Sequence, residues 1–176
     1  MLKNFDISSF KKQKPPSDNS FDTDQEIKAL KKIPLRKEFV KKYDDIEAAF
    51  AKTAKEQGVE DYDKSIAKKL IKESAPVILK LKKYHNRPRP YELDKKLSAF
   101  VMKSMKTPSY PSGHSAQGIL IAKVLSDKYP KAKSAFTKTG KNISYSRNVA
   151  HAHYKSDSKM GEKLGNKMYN YIKKDI

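Results

Sequence analysis

The sequence contains no cysteine. That excludes disulfides and thiolate metal sites, although it leaves the compartment open. Acidic residues are also scarce, with 20 Asp and Glu against 39 Lys and Arg. Long apolar runs are missing as well. The longest, Ile119 to Leu125, is broken by Lys123, and nothing approaches the roughly 20 apolar residues that a membrane-spanning helix needs. The opening "MLKNFDISSFKKQKPP" has no apolar stretch of signal-peptide length. As it stands, the chain is expected in the cytoplasm. If a signal peptide has been removed, the periplasm or the medium is expected instead. No segment alternates apolar and polar residues as a half-buried strand would, and no repeat is visible.

What remains is helical and basic. The formal charge is +19 over 176 residues, a field that attracts phosphate esters, nucleotides, nucleic acid and acidic membranes alike. Lysines spread along the whole chain also read simply as a solvated surface. The length suits one domain. Residues 1–19 are expected to form an extended arm, because "KKQKPPSDNS" is polar and carries Pro15 and Pro16. Residues 20–176 are expected to form one all-α bundle of about six helices.

The first helix starts near Phe21, capped by Asp18, Asn19 or Ser20, and stops before Pro34. A single second helix is expected over "PLRKEFVKKYDDIEAAFAKTAKEQG", with Gly58 just past its end. A third begins near Asp61 and buries Ile66, Leu70, Val77 and Leu81, with Pro76 as a kink or a restart. A short helix is expected near Lys95 to Lys103, followed by a loop. Three more run from Gly113 to about Tyr129, from Lys131 to Tyr154, and from Ser158 to Lys173.

Three stretches carry chemistry. In "YPSGHS", Ser112 and Gly113 open an apolar helix, where unpaired N–H groups and the helix dipole favour an anion. His114 stands beside that anion, able to give or take a proton. In "KKYHNRPRP", Lys82 and Arg89 flank a proline-stiffened turn. Arginine presents a planar fork of donors to phosphate, and lysine adds a point charge. In "SRNVAHAHYKSD", His153 and Asp157 are four apart and would share a helix face if the helix persisted. A carboxylate on one imidazole nitrogen fixes the tautomer and leaves the other free to attack. Arg147 would lie about 9 Å before His153 along such a helix. Each stretch alone also has a plainer meaning: a helix cap beside a surface histidine, a basic helix end, and a surface ion pair. His151 and His153 are too poorly disposed on a helix to chelate, and there is no HExxH, so no metal and no cofactor are expected. His85 and His151 read as structural or solvent-facing.

In order, the stretches read K-x6-RP, PSGH and SR-x5-H-x3-D. This resembles the three-part signature of the type 2 phosphatidic acid phosphatase superfamily, which includes bacterial class A non-specific acid phosphatases and vanadium-dependent haloperoxidases. "PPSDNSF" and "KKIPLRKEFVKKYDD" resemble the entry segment of the class A enzymes, so the likeness runs from about Pro15 to Asp157. The chain is shorter than those enzymes. The resemblance implies the helical phosphatidic acid phosphatase/haloperoxidase-like fold. It also implies a metal-independent acid phosphatase acting on phosphomonoesters. His153 would be the nucleophile that forms a phosphohistidine, with Asp157 orienting it and His114 as general acid and base. Lys82, Arg89, Arg147, Ser112 and the Gly113 N–H would hold the phosphoryl oxygens. A small phosphorylated substrate, a nucleotide or sugar phosphate, is expected, and a dimer or larger homo-oligomer is implied. Two competing readings are a vanadate-dependent haloperoxidase and a non-catalytic basic module binding nucleic acid. No recognition motif for specific nucleic-acid binding is present.

Overall fold

Proline, glycine and small polar residues set several helix ends in the computed structural model, which describes residues 1–174, leaving aside the side chains of residues 103 and 104. Residues 175 and 176, the end of the expected domain, lie outside the described residues. The described residues contain α-helices and short 3-10 turns but no strand. The helices are α1 (Ser8–Lys11), α2 (Phe21–Lys31), α3 (Lys37–Asp44), α4 (Ile46–Glu56), α5 (Ser65–His85), α6 (Pro90–Leu93), α7 (Gly113–Lys128), α8 (Lys133–Val149) and α9 (Lys155–Ile172).

Ser20 is the residue that caps α2, accepting from the Thr23 N–H at 3.2 Å. Gly58 closes α4 in the left-handed region, at φ 65°. Its N–H donates to Lys55 and the next N–H, of Val59, to Ala54, so two orphan carbonyls are satisfied. Pro76 neither stops nor restarts α5, which runs through it.

The expected second helix is two. It breaks at Asp45, whose extended backbone (φ −85°, ψ 103°) lets its carboxylate cap α4 through the Ala48 N–H at 2.9 Å. The bundle therefore has more helices than the six expected. The helix expected over Lys95 to Lys103 is absent; a four-residue α6 precedes that segment and a 3-10 turn, Lys103–Lys106, closes it. Instead the Phe100 N–H donates to the Ala150 carbonyl, tying this irregular segment to the end of α8.

Helix α7 is the hub, packed by α8, α9, α5 and α4. Leu120, Ile121, Leu125, Phe136, Ile143, Leu164, Met168 and Phe50 are fully buried around it. Small residues allow the close approach. A Cβ on Gly140 would meet the Ala122 Cβ at 2.7 Å, and one on Gly161 would collide with the Ser112 carbonyl. Residues 1–19 are not wholly extended: they contain α1, and Leu2 and Phe10 are buried in the main core.

Candidate active site

Helix α8 ends four residues before His153, not beyond it. His151 adopts φ 54°, its N–H donates to Asn148, and the Ala152 N–H donates to Arg147. This is the hydrogen-bond pattern of a left-handed helix stop, made here without glycine. Its backbone cost is offset because the His151 ring nitrogens lie 2.6 Å from the Ser98 carbonyl and 2.8 Å from the Ile33 carbonyl. His151 is thus a buried structural residue. The turn carries His153 off the helix, and the Asn148 amide holds the His153 carbonyl at 3.0 Å.

His153 and Asp157 still meet, by a different route from a shared helix face. Asp157 lies in the first turn of α9 and reaches back to the Tyr154 N–H at 3.1 Å. The same oxygen, Oδ2, lies 3.2 Å from Nδ1 of His153 and accepts from the Ser109 hydroxyl. Nε2 of His153 lies 2.9 Å from Nη1 of Arg89. A guanidinium can only donate, so Nε2 accepts and Nδ1 carries the proton given to Asp157.

A cavity of about 220 Å³ is lined by His153 together with Lys82, Arg89, Gly113, His114 and Arg147, among others. Lys82 comes from the last turn of α5, Arg89 from the segment after it, Gly113 and His114 from the start of α7, and Arg147 from the end of α8. Three stretches remote in sequence therefore share one pocket. Ser112 does not line it. Its buried hydroxyl caps α7, accepting from the Ser115 N–H at 3.3 Å, and its own N–H donates to the Asp157 carbonyl at 3.0 Å. The lining also includes the apolar side chains of Ala75, Ile78 and Leu79 from α5 and of Met102 and Met105 from the connection between α6 and α7.

The electrostatics are those of an undercompensated cationic pocket. Burial, then the charge of Arg89, lowers the pKa of Lys82 to about 7. Burial likewise lowers that of Arg89 and of Arg147. Nη2 of Arg147 is buried without a hydrogen-bond partner, which is costly unless an anion is to be met there. Burial and then Arg147 bring His114 down to about 4, against the opposing pull of Asp44. Burial and Arg89 hold His153 well below the ordinary histidine range. Asp157 is held low despite its burial, chiefly by His153 and Arg87. Among the described residues, no three His, Asp or Glu side chains converge as a metal site would require.

Two partners of this site were invisible to sequence reasoning. Asp44, at the end of α3, pairs with Nη1 of Arg147 at 2.9 Å, and its carbonyl lies 2.9 Å from Nε2 of His114. Arg87 donates to Oδ1 of Asp157 at 2.7 Å. Arg87 sits inside the quoted "KKYHNRPRP", but in so basic a chain nothing local separates it from its neighbours.

The chain is similar to non-specific acid phosphatases. It is 36% identical over 87 residues to the non-specific acid phosphatase of Salmonella typhimurium, and 34% identical over 87 residues to that of Salmonella typhi. In each case the match covers 48% of this chain and 35% of the relative, so the chain spans about a third of the length of the curated relatives it matches. No family model matches the sequence. Among the described residues no helix is long and apolar enough to cross a membrane.

Proposed function

We propose that this chain is a phosphoric monoester hydrolase of the type 2 phosphatidic acid phosphatase kind, working through a phosphohistidine on His153. The observation that carries the reading is the convergence of Lys82, Arg89, Gly113, His114, Arg147 and His153 on one small cavity. The similarity to proteins named non-specific acid phosphatase supports the same reading.

In the proposed reaction, the phosphoryl group of a small monoester enters the cavity. Lys82, Arg89, Arg147 and the α7 N-terminal N–H groups hold its oxygens, while Ser112 sets the start of that helix. Phosphoryl transfer is driven mostly by positioning and charge stabilisation, which three cations can supply. The Nε2 lone pair of His153 attacks phosphorus, and the bond to the leaving oxygen breaks as His114 gives that oxygen its proton. Asp157 accepts the Nδ1–H throughout and stabilises the charge that develops on the ring. Water then attacks phosphorus, His114 takes its proton, the P–N bond breaks, and inorganic phosphate leaves.

A phosphate-release screen over aryl, nucleotide and sugar monoesters, diphosphates and lipid phosphates, at several pH values and with EDTA, tests this. Release from monoesters on the acidic side, unaffected by EDTA, is expected. No release from any ester would overturn the reading. Halide oxidation in the presence of vanadate and peroxide would favour the haloperoxidase instead. Salt-sensitive DNA binding without hydrolysis would favour the nucleic-acid module.

A further inference from the structure

Arg87 is among the largest fully buried side chains, at 2% exposure, yet it does not line the cavity. Its guanidinium bridges two carboxylates. Nη1 donates to Oδ1 of Asp157 at 2.7 Å and to the Ser156 hydroxyl at 2.8 Å. Nη2 donates to Oε2 of Glu26 at 3.0 Å, with the Thr23 hydroxyl at 3.4 Å. The plane is fixed by the Tyr154 ring, 3.7 Å away. Glu26 in turn caps the start of α9, accepting from the Ser156 N–H and hydroxyl, each at 2.7 Å. A continuous chain thus runs from α2 through Glu26, Arg87 and Asp157 to His153.

Asp157 has two oxygens and four donors in reach. Arg87 takes Oδ1, which leaves Oδ2 for His153, Ser109 and the Tyr154 N–H. The rotamer of Asp157 is therefore set by Arg87 from behind. Lysine could not do this, because a single ammonium cannot satisfy two carboxylates as a planar fork does.

We infer that Arg87 and Glu26 are positioning residues that set the orientation and the charge of the Asp157–His153 pair, making α2 part of the catalytic apparatus. The inference rests on the reading of His153 as the nucleophile. Its electrical side has a definite sign. The cation of Arg87 draws on the negative charge of Asp157 and so disfavours a proton on His153. Glu26 partly cancels that cation. The other charges acting on His153 are Arg89 from the segment after α5 and Lys82 from α5, while His114 and Arg147 line the same cavity. None of these is altered by changes at residues 26 or 87. Burial works against the charge of Arg87, but Asp157 and Glu26 more than offset it, consistent with a cation held tightly between them.

The test uses the whole chain and three variants, Arg87→Gln, Arg87→Lys and Glu26→Gln. The acid limb of kcat/KM is measured on an aryl phosphate, and His153 is titrated by NMR of isotope-labelled imidazoles in the free protein. Arg87→Gln should move the His153 titration and the acid limb to higher pH. Glu26→Gln should move both to lower pH. Arg87→Lys, which keeps the charge and loses the fork, should leave the limb in place and lower kcat by about a hundredfold, with KM little changed. A merely structural role would move the two neutralising variants in the same direction, or neither, and that result overturns the inference. So does wild-type kcat in Arg87→Lys. If Arg87→Gln does not fold, the Lys and Glu26 variants still decide. If no ester is hydrolysed by the wild type, the phosphatase reading fails, while the NMR titration alone tests the coupling of residues 26 and 87 to His153.

Discussion

Nε2 of His153 and Nη1 of Arg89 are 2.9 Å apart, and the arginine can only donate. The nucleophile proposed here is therefore held neutral, with its Nε2 lone pair accepting from Arg89 and its Nδ1–H donated to Asp157. An arriving phosphoryl oxygen can take the donor from Arg89 and leave that lone pair to attack phosphorus.

Replacing His153 with Ala should abolish turnover without abolishing phosphate binding, since Lys82, Arg89 and Arg147 remain. Inorganic phosphate at a hundred times its dissociation constant should still stabilise the variant, by about 2.7 kcal/mol, read as a rise in Tm. Wild-type turnover in the variant would end the assignment of His153.

Burial and Arg147 bring the pKa of His114 to about 4, while Asp44 pulls it upward. A general acid must hold its proton, so activity should fall as pH rises through the pKa that His114 has beside bound phosphate. Asp44→Asn keeps the backbone carbonyl's hydrogen bond but removes the carboxylate's part of that pull, and should shift this basic limb to lower pH. His114→Ala should damage hydrolysis of alkyl phosphates far more than that of nitrophenyl phosphate, whose leaving oxygen needs little protonation. Equal losses on both substrates would count against the role.

Burial, then Arg89, lowers the pKa of Lys82 to about 7, whereas that of an unfolded lysine is about 10.4. Between those values the unfolded chain holds a proton that the native protein has released, so native stability from this group rises with pH. Below about 7 both states hold the proton and the cost of burying the charge is fully present. Urea unfolding of Lys82→Met against wild type should show an advantage for the variant, or a smaller deficit, at pH 7 than at pH 10. A difference that moves the other way would contradict the lowered pKa. The variant should also bind phosphate less tightly.

A methyl group on Gly161 would strike the Ser112 carbonyl and lie 2.8 Å from the Ser115 Cβ. Gly161→Ala should cost roughly 1–3 kcal/mol of stability. It should also weaken phosphate binding, because the displaced backbone carries the start of α7. A stable variant with unchanged phosphate affinity would show that this seam yields without moving the cradle.

Features set by nearest neighbours were legible in the sequence. The serine cap of α2, Gly58 after α4 and the start of α7 at Gly113 all depend on local chemistry, and they lie where expected. Features set by distant partners were not. The break at Asp45 has no proline or glycine to announce it. The left-handed stop at His151 is held by carbonyls of Ser98 and Ile33, far away in the chain. Asp44 and Arg87 acquire roles only through tertiary contact with Arg147 and Asp157. Of the residues expected around the anion, Lys82, Arg89, Gly113, His114, Arg147 and His153 line a common cavity and Ser112 does not; Asp157, expected to orient His153, lies off the cavity beside it. The hydroxyl of Ser112 faces its own helix.

The cations and imidazoles are anchored at or beside the ends of long helices, whereas Met102 and Met105 lie on the connection between α6 and α7. Met102 lies 3.2 Å from Nη1 of Arg147 and the Thr107 carbonyl accepts from Arg89, so the same connection that shapes the leaving-group side also steadies the cations. Laboratory evolution toward new leaving groups should therefore succeed most readily at Met105, the lining residue of that connection that bonds to neither arginine.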